Sequence, residues 1–532
     1  MRKELENLLK KAVLELQLGD GTEVTVDYAR HEKFGDYSSN VAMVLAKKLG
    51  KNPMEVADKI SSWLSVHGSQ QFEKNEVVKP GYINFYLSKE YLQKKVAEIN
   101  KLGEKFGASE IGKGIKINNE FISANPTGPL HLGNGRGGFY GDSLSRIFCQ
   151  TEFAVTNEYY INDDGGQVIK LGHSVLKDSE AVYIGDYIDE LNKKYGKLSL
   201  EEAGQKSAKY ILENIIKKTI EEKMKISFDN WFSEKNLYAS GQVDEAVEIL
   251  KNKNVTYEKD GALWLATSKF GDDKDRVLMK ADGQKTYLAS DCGYILNKIE
   301  RKFDKIIEIW GADHHGYINR FKAVAKMLGF SGELKFIIVQ LVRLVKNGQE
   351  VKMSKRAGNV VYIDELIDKV GQDVARFFFL MYSPDTHMNF DLKLAEEKSQ
   401  KNPVYYVQYA YARISSILKK IQEHPLPILS LSRERGTGGE GLLIHEKELS
   451  LIRELNKFPE LVEEIAENYE IHKLPYYAIK LADKFHSFYN ECRVIDENNL
   501  ELTSARLMLV KAVKIVLGET LRLIGVEAPI RM

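Results

Sequence analysis

Residues 123–138, SANPTGPLHLGNGRGG, combine the side chains and the backbone freedom that handling a phosphate requires. A β-like run at 115–122 feeds the stretch, and a helical pattern follows from about 137 to 149. Pro126, Gly128 and Pro129 fix a tight path. Gly133, Gly135, Gly137 and Gly138 are expected to let backbone come close to a ligand. A loop running into a helix N-terminus presents free N–H groups and the positive end of the helix dipole to an anion. His131 stands where its ring can donate to a phosphate oxygen. Taken alone, the stretch also fits a glycine-rich turn with a structural histidine.

A second stretch, VKMSKRAG at 351–358, crowds Lys352, Lys355 and Arg356 into five positions beside Gly358. Three such cations repel unless an anion or solvent screens them. By itself this also fits a solvated basic loop. His314 and His315 follow a β-like run, where ligands collect in open α/β sheets, so one of them is expected to line a pocket. No third ligand stands at helical or strand spacing, so protein-held metal is not expected. Further on, Tyr405, Tyr406, Tyr409 and Tyr411 are interleaved with Arg413, Lys419 and Lys420. Rings can stack on splayed bases while cations meet phosphates, although the same tyrosines fit a bundle core. Asn490 and Arg493 are weaker candidates for the same surface.

The elements that must carry these residues follow from periodicity. Residues 1–20 read as a charged amphipathic helix, 24–28 as a strand, 41–49 and 53–64 as helices, and 82–87 as a strand. Glycines at 103, 107, 112 and 114 mark a linker. Strand and helix then alternate: β-like at 115–122, 153–161, 305–310 and 334–344, helical at 137–149 and 317–328. That alternation implies a parallel sheet with helices on both faces. Charged helices at about 166–275 read as an insertion into it. After about 390 the strands stop. Leu451, Ile452, Leu455, Phe458, Val462, Ile465 and Tyr469 are spaced for one helix face, 502–518 repeats the pattern, and 430–441 reads as a mobile loop within a helical bundle.

Composition narrows the class. A length of 532 residues suggests three or four domains. With 43% apolar and 29% charged residues the chain is neither disordered nor fibrous. Lys plus Arg and Asp plus Glu are 76 each, so nucleic-acid contact must rest on local patches. Cys149, Cys292 and Cys492 form no CxxC pair, which argues against zinc knuckles and disulfide frameworks and for a reducing compartment. No apolar run approaches the ~20 residues that span a bilayer, and the N-terminus lacks a signal-peptide core. A cytoplasmic protein without a membrane segment is expected.

HLGN near the start of a parallel α/β region and KMSK near its end together resemble the two signatures of class I aminoacyl-tRNA synthetases. The resemblance extends to the arginyl-tRNA synthetase family through SANPTGPLH, YYINDDGGQ at 159–167, RVLMKADGQKTYLASD at 276–291, WGADHHGY at 310–317 and the terminal EAPIRM. GDYSSNVAMVLAK at 35–47, PGYINFYL at 80–87 and NPVYYVQYAYARI at 402–414 look like the same family. The resemblance implies an α/β fold: a Rossmann-like catalytic core at 111–395 with its insertion, a small N-terminal α+β domain at 1–110 that touches the tRNA elbow, and an all-α anticodon-binding bundle at 396–532. It implies that arginine and ATP, the latter with Mg2+, give arginyl-adenylate, and that the arginyl group then passes to the terminal adenosine of tRNA(Arg). A monomer is expected. It also implies that activation needs bound tRNA.

Residue by residue, the resemblance places His131, Asn134, Lys352 and Lys355 in catalysis, and Gly133, Met353 and Ser354 with them around ATP. Asp291, with Tyr287 four residues before it, is the expected guanidinium partner. Glu120, Ser123 and Asn125 match positions that hold the substrate α-amino and carboxylate groups, and His315 is expected in the same pocket. Tyr406, Tyr409 and Arg413, with Tyr37, Asn84 and Phe85 in the N-terminal domain, are the expected tRNA contacts. Asn134 departs from the histidine that usually ends the first signature, and it donates a hydrogen bond but carries no charge. Arg356 replaces a serine common in the class, as arginyl enzymes often do. Two other readings stay open. A nucleotide-activating ligase with a small acceptor would not need the bundle. An inactive RNA-binding relative should have lost His131, Lys355 or Asp291, and none is lost.

Overall fold

The computed structural model describes residues 1–19, 21–68, 71–163, 165–351, 361–423 and 441–532. The N-terminal part opens with α1 (Arg2–Glu15), which buries Leu5, Leu9 and Val13 along one stripe. β1 (Asp27–Tyr28), β2 (Tyr37–Ser39), β3 (Phe72–Val78) and β4 (Tyr82–Leu87) form an antiparallel sheet in the order β1-β2-β4-β3. Of the strand expected at 24–28, only Asp27 and Tyr28 pair. α2 (Val41–Leu49) ends at Gly50 in a left-handed cap, where φ is 64°. α3 (Pro53–His67) starts from Asn52, whose side chain accepts the Met54 N–H, with Pro53 in its first turn. α4 (Lys89–Leu102) is capped by Ser88.

The middle part begins with β5 (Lys116–Phe121), then α5 (Leu132–Gln150) and β6 (Ala154–Ile161). α6 (Gly166–Leu176), α7 (Asp186–Tyr195) and α8 (Leu200–Ile211) follow. β7 (Asn230–Ser233) then pairs parallel with β6 over Glu158–Asn230 to Ile161–Ser233. The insertion expected at 166–275 is therefore interrupted: β7 returns the chain to the main sheet as its edge strand. α9 (Glu234–Ala239) and α10 (Gln242–Asn252) lead to a small antiparallel sheet of β8 (Thr256–Lys259), β9 (Ala262–Leu265) and β10 (Arg276–Met279). α11 (Tyr287–Glu300), β11 (Lys305–Gly311), α12 (Ile318–Leu328) and β12 (Glu333–Val339) complete a five-stranded parallel sheet, β12-β11-β5-β6-β7.

The apolar run at 334–344 is two strands, not one. β12 ends at Val339, and β13 (Val342–Lys346) joins a separate sheet with β14 (Gln349–Glu350) and β15 (Met388–Asp391). Between them lie α13 (Ile363–Val370) and α14 (Gln372–Leu380), and α15 (Leu392–Glu396) follows β15.

The C-terminal part is helical, as its periodicity predicts: α16 (Pro403–Glu423), α17 (Glu446–Asn456), α18 (Phe458–Asn468), α19 (Lys473–Glu491) and α20 (Leu500–Ile524). The single helix face expected over 451–469 is broken at Lys457, because Pro459 fits only the first turn of a new helix. Residues 430–440 of the expected loop lie outside the described residues. The bundle docks on both other parts. Gln93 Nε2 of α4 donates to Leu443 O at 3.0 Å and Asn100 Nδ2 to Met508 O at 2.9 Å. Buried Arg376 of α14 bonds Asp142 of α5 and Ile524 O of α20. No helix among the described residues is long and apolar enough to cross a membrane.

Candidate active site

β5 and β6 run one way from the sheet centre and β11 lies on the other side of β5, so the strand order reverses between β5 and β11. Ligands of open α/β sheets collect at the carboxyl ends of strands at such a switch point. The first signature leaves β5 there. Ile122 and Ser123 carry positive φ angles of 68° and 37°, a costly backbone that persists only where surroundings enforce it. It turns Ser123 Oγ to donate to Glu120 Oε1 at 3.0 Å and to accept the Tyr160 N–H at 3.0 Å. Asn125 beyond it is exposed.

His131 is the N-cap of α5 rather than a free ring beside one. Its Nδ1 accepts the N–H groups of Gly133 at 3.1 Å and Asn134 at 3.3 Å. Asn134 Oδ1 in turn accepts the His131 N–H at 3.1 Å, closing a capping box. With Nδ1 accepting, the ring proton belongs on Nε2. Burial lowers the ring's affinity for a second proton, partly opposed by Asp313. The expectation of free helix-terminal amides is corrected: Leu132 N–H goes to Val361 O and the next two to His131. Among the described residues of this helix terminus, the donor that faces outward is the Nε2–H of His131.

The glycines also do other work than expected. A Cβ on Gly135 would come within 2.5 Å of Ile363, one on Gly138 within 2.7 Å of Met224, and one on Gly137 would touch Ile309 and Val339. They let α5 pack tightly on protein. At Gly133 an added Cβ would stand 3.0 Å from the His131 ring.

Lys352, Met353, Ser354 and Lys355 lie outside the described residues. Their flanks are placed. On one side Val351 N–H bonds Leu344 O of β13. On the other, Tyr362 pairs with His131, and Ile363 N–H bonds Leu130 O. Buried Arg136 of α5 ties the same region down by donating to the carbonyls of Gln340, Ser383 and Thr386.

Asp291 lies on α11, half-buried, one turn after Tyr287. Burial, then the charge of Glu234, push its carboxyl up to about 7 against the pull of Arg320, and Glu120 adds to the rise. Tyr287 is 60% exposed, with its hydroxyl over Gly165 and Gly166. Glu234 is an acid that sequence reasoning missed. It is buried at the first position of α9, just past β7, and reads locally as an ordinary first-turn acid after the cap Ser233. Only the placing of β7 in the main sheet brings it to this pocket. After β11, His314 packs against Trp310 and Tyr317 and pairs with Asp313 at 3.5 Å, while His315 is exposed. Among the described residues no three His, Cys, Asp or Glu side chains gather as a metal cage.

The expected RNA contacts divide. Tyr406 and Tyr409 are half-buried on α16; Tyr406 donates to Asp483 at 2.6 Å, and both rings lie against His486. Arg413 stacks 4.9 Å over Tyr409 and 5.1 Å over Tyr489. Tyr37, Asn84 and Phe85 lie inside the N-terminal part, 1%, 3% and 0% exposed, on the neighbouring strands β2 and β4. Asn84 accepts from Ser38, and Tyr37 donates to Glu460 of α18.

A parallel sheet split by inserted elements, an N-capping histidine at its switch point and a helical bundle on its flank define a class I aminoacyl-tRNA synthetase, an enzyme that uses ATP. Family models agree over most of the chain: the arginyl tRNA synthetase N-terminal domain at 3–87, the catalytic domain of class I tRNA synthetases (R) at 187–378, and the DALR anticodon-binding domain at 407–532. An arginine–tRNA ligase of Geobacillus thermodenitrificans is 42% identical over 557 residues, spanning 100% of this chain and 99% of its own. One of Bacillus subtilis is 42% identical over 560 residues with the same coverage. A solved arginyl-tRNA synthetase structure from Campylobacter jejuni is 32% identical with a TM-score of 0.71, covering 84% of this chain and 100% of that one. The arginyl-tRNA synthetase of Thermus thermophilus, 22% identical with full coverage of both chains, shares the fold at a TM-score of 0.80. The chain belongs to the arginyl-tRNA synthetase family and is an arginine–tRNA ligase.

Proposed function

We propose that this ligase activates L-arginine with ATP to arginyl-adenylate and transfers the arginyl group to the 3′-terminal adenosine of tRNA(Arg). The observation that carries the arginine assignment is the gathering of three acids: burial first, then Glu234 and Glu120, push Asp291 up to about 7 against the pull of Arg320. Arg320 faces Asp291 and Lys298 faces Glu120, and the guanidinium, a permanent cation, adds the further positive charge that three acids favour. Asp291, with Tyr287, takes the guanidinium. Glu120 takes the α-ammonium, Ser123 and Asn125 take the carboxylate, and His315 closes the rim.

A carboxylate is already ionised at neutral pH, so the first step needs no general base. Attack of the arginine carboxylate on the α-phosphorus forms one P–O bond and releases pyrophosphate. The protein's part is positioning and charge stabilisation. His131 donates Nε2–H to a phosphate oxygen from one side. Lys355 and Lys352 supply positive charge from the other, with Gly133, Met353 and Ser354 lining ATP. Asn134 acts by holding His131. Magnesium arrives on the ATP phosphates.

We divide the chain at 1–110, 111–395 and 396–532, with Tyr406, Tyr409 and Arg413 meeting the anticodon. We take the chain to act as a monomer, and translation places the work in the cytoplasm. Arginine-dependent and tRNA-dependent pyrophosphate exchange tests the whole reading. Exchange driven equally by other amino acids would overturn it.

A further inference from the structure

Three glutamates face one another across the catalytic sheet. Glu308 of β11 is opposite Glu120 of β5, and Glu120 is opposite Glu158 of β6. All three are buried, so they demand cations. α11 supplies them. Lys298, fully buried, donates to Glu120 Oε2 at 2.7 Å and to Glu308 Oε1 at 2.6 Å. Arg301, just past the helix, grips both oxygens of Glu158, and the Tyr294 hydroxyl lies 2.6 Å from Glu120 and from Glu158.

Residues 287, 291, 294 and 298 share one face of α11, spaced by three and four. The helix that bears Asp291 is thus fastened through Lys298 to the strand that bears Glu120. Asp291 and Lys298 are seven residues apart, about 10 Å along a helix. Arginine has a cation at each end, so two acids held at a fixed spacing measure its length.

We propose that Lys298 is a positioning residue for substrate length: by bonding Glu120 and Glu308 together it latches α11 to the sheet and sets the spacing between the carboxylates of Glu120 and Asp291. This rests on the reading of those two acids as the arginine contacts. The two oxygens of Glu120 divide the work: Oε2 is taken by the latch and Oε1 remains beside Ser123. Burial, then Glu120, push the Glu308 carboxyl up, and Lys298 pulls it back down.

The test compares arginine with homoarginine, one methylene longer, in the full-length enzyme with tRNA. Lys298→Arg keeps the charge and lengthens the latch. It should raise the KM for arginine about tenfold, the scale of one misplaced methylene, and shrink the arginine-to-homoarginine ratio of kcat/KM, with the KM for ATP unchanged. The double variant Lys298→Met with Glu308→Leu removes charge in a pair and reads the same way if the longer side chain is not accommodated. A folded variant with unchanged arginine KM and unchanged length discrimination overturns the proposal. Glu120→Gln and Asp291→Asn are measured alongside. If these leave arginine charging intact, the site assignment itself fails. If they weaken it and the Lys298 variants do not, the latch alone fails.

Discussion

Asn134 and His131 hold each other. The asparagine Oδ1 accepts the histidine N–H at 3.1 Å, and the histidine Nδ1 accepts the asparagine N–H at 3.3 Å. This gives the unusual asparagine of the first signature a role that needs no charge. It fixes the cap, and the cap fixes which nitrogen of His131 faces outward.

Asn134→Ala should therefore cost about 1 kcal/mol of stability, as loss of a cap partner does. It should slow adenylate formation while leaving arginine affinity near the wild-type value. Thermal unfolding and single-turnover kinetics measure the two effects. A slowed rate with no loss of stability would assign Asn134 to the phosphates directly.

The cap also sets a pH dependence. Burial holds the folded His131 below its ordinary 6.5, so the neutral ring is the folded form. The unfolded chain then binds the proton more readily. The cap's contribution is present above 6.5 and is lost as pH falls below it. Protonation at Nδ1 removes the acceptor of two amides. Hydrogen exchange at Gly133 and Asn134 should speed up relative to the rest of α5 as pH drops from 7 to 5. Unchanged relative protection across that range would place the proton on Nδ1 already.

Asp291→Asn should lower kcat/KM for arginine by roughly 3–5 kcal/mol, the cost of breaking a buried ion pair. The KM for ATP should be nearly unaffected, and discrimination against the neutral isostere citrulline should shrink. Because the free carboxyl sits near 7, arginine binding below that pH should release a proton, and affinity should rise with pH up to about 7 and then level off. Calorimetry in two buffers of different ionisation enthalpy reads the release. Charging near the wild-type rate in Asp291→Asn would move the guanidinium site elsewhere.

Lys355→Ala should raise the barrier to adenylate formation by about 2–4 kcal/mol, the worth of one preorganised charge contact. Arginine affinity should change far less. An unaltered single-turnover rate removes Lys355 from the mechanism.

Substitution of Tyr406, Tyr409 or Arg413 by alanine should raise the KM for tRNA and leave arginine affinity intact. Pyrophosphate exchange should weaken only as far as it depends on bound tRNA, and saturating tRNA should restore it. Loss that saturation does not rescue would show that the stack of Arg413 on Tyr409 holds the bundle instead.

The sequence by itself determined what rests on local chemistry. Strand and helix alternation, the helical C-terminal part and the first signature at a strand-to-helix turn were legible because periodicity and caps act within a few residues. So was the family, which pairs two distant motifs. Tertiary structure decided what depends on partners far along the chain. The split of an even apolar face into α17 and α18 is the exception, a local effect of Pro459 that the apolar spacing hides. β7 joins the main sheet and carries Glu234 to Asp291 from 57 residues away. Gly135 and Gly138 of α5 pack against Ile363 and Met224, which lie far along the chain. Asn84 and Phe85 alternate to opposite faces of β4 and both are buried, as is Tyr37 beside Phe85, so both faces of that strand are covered, and a strand's alternation alone does not say what packs on each face.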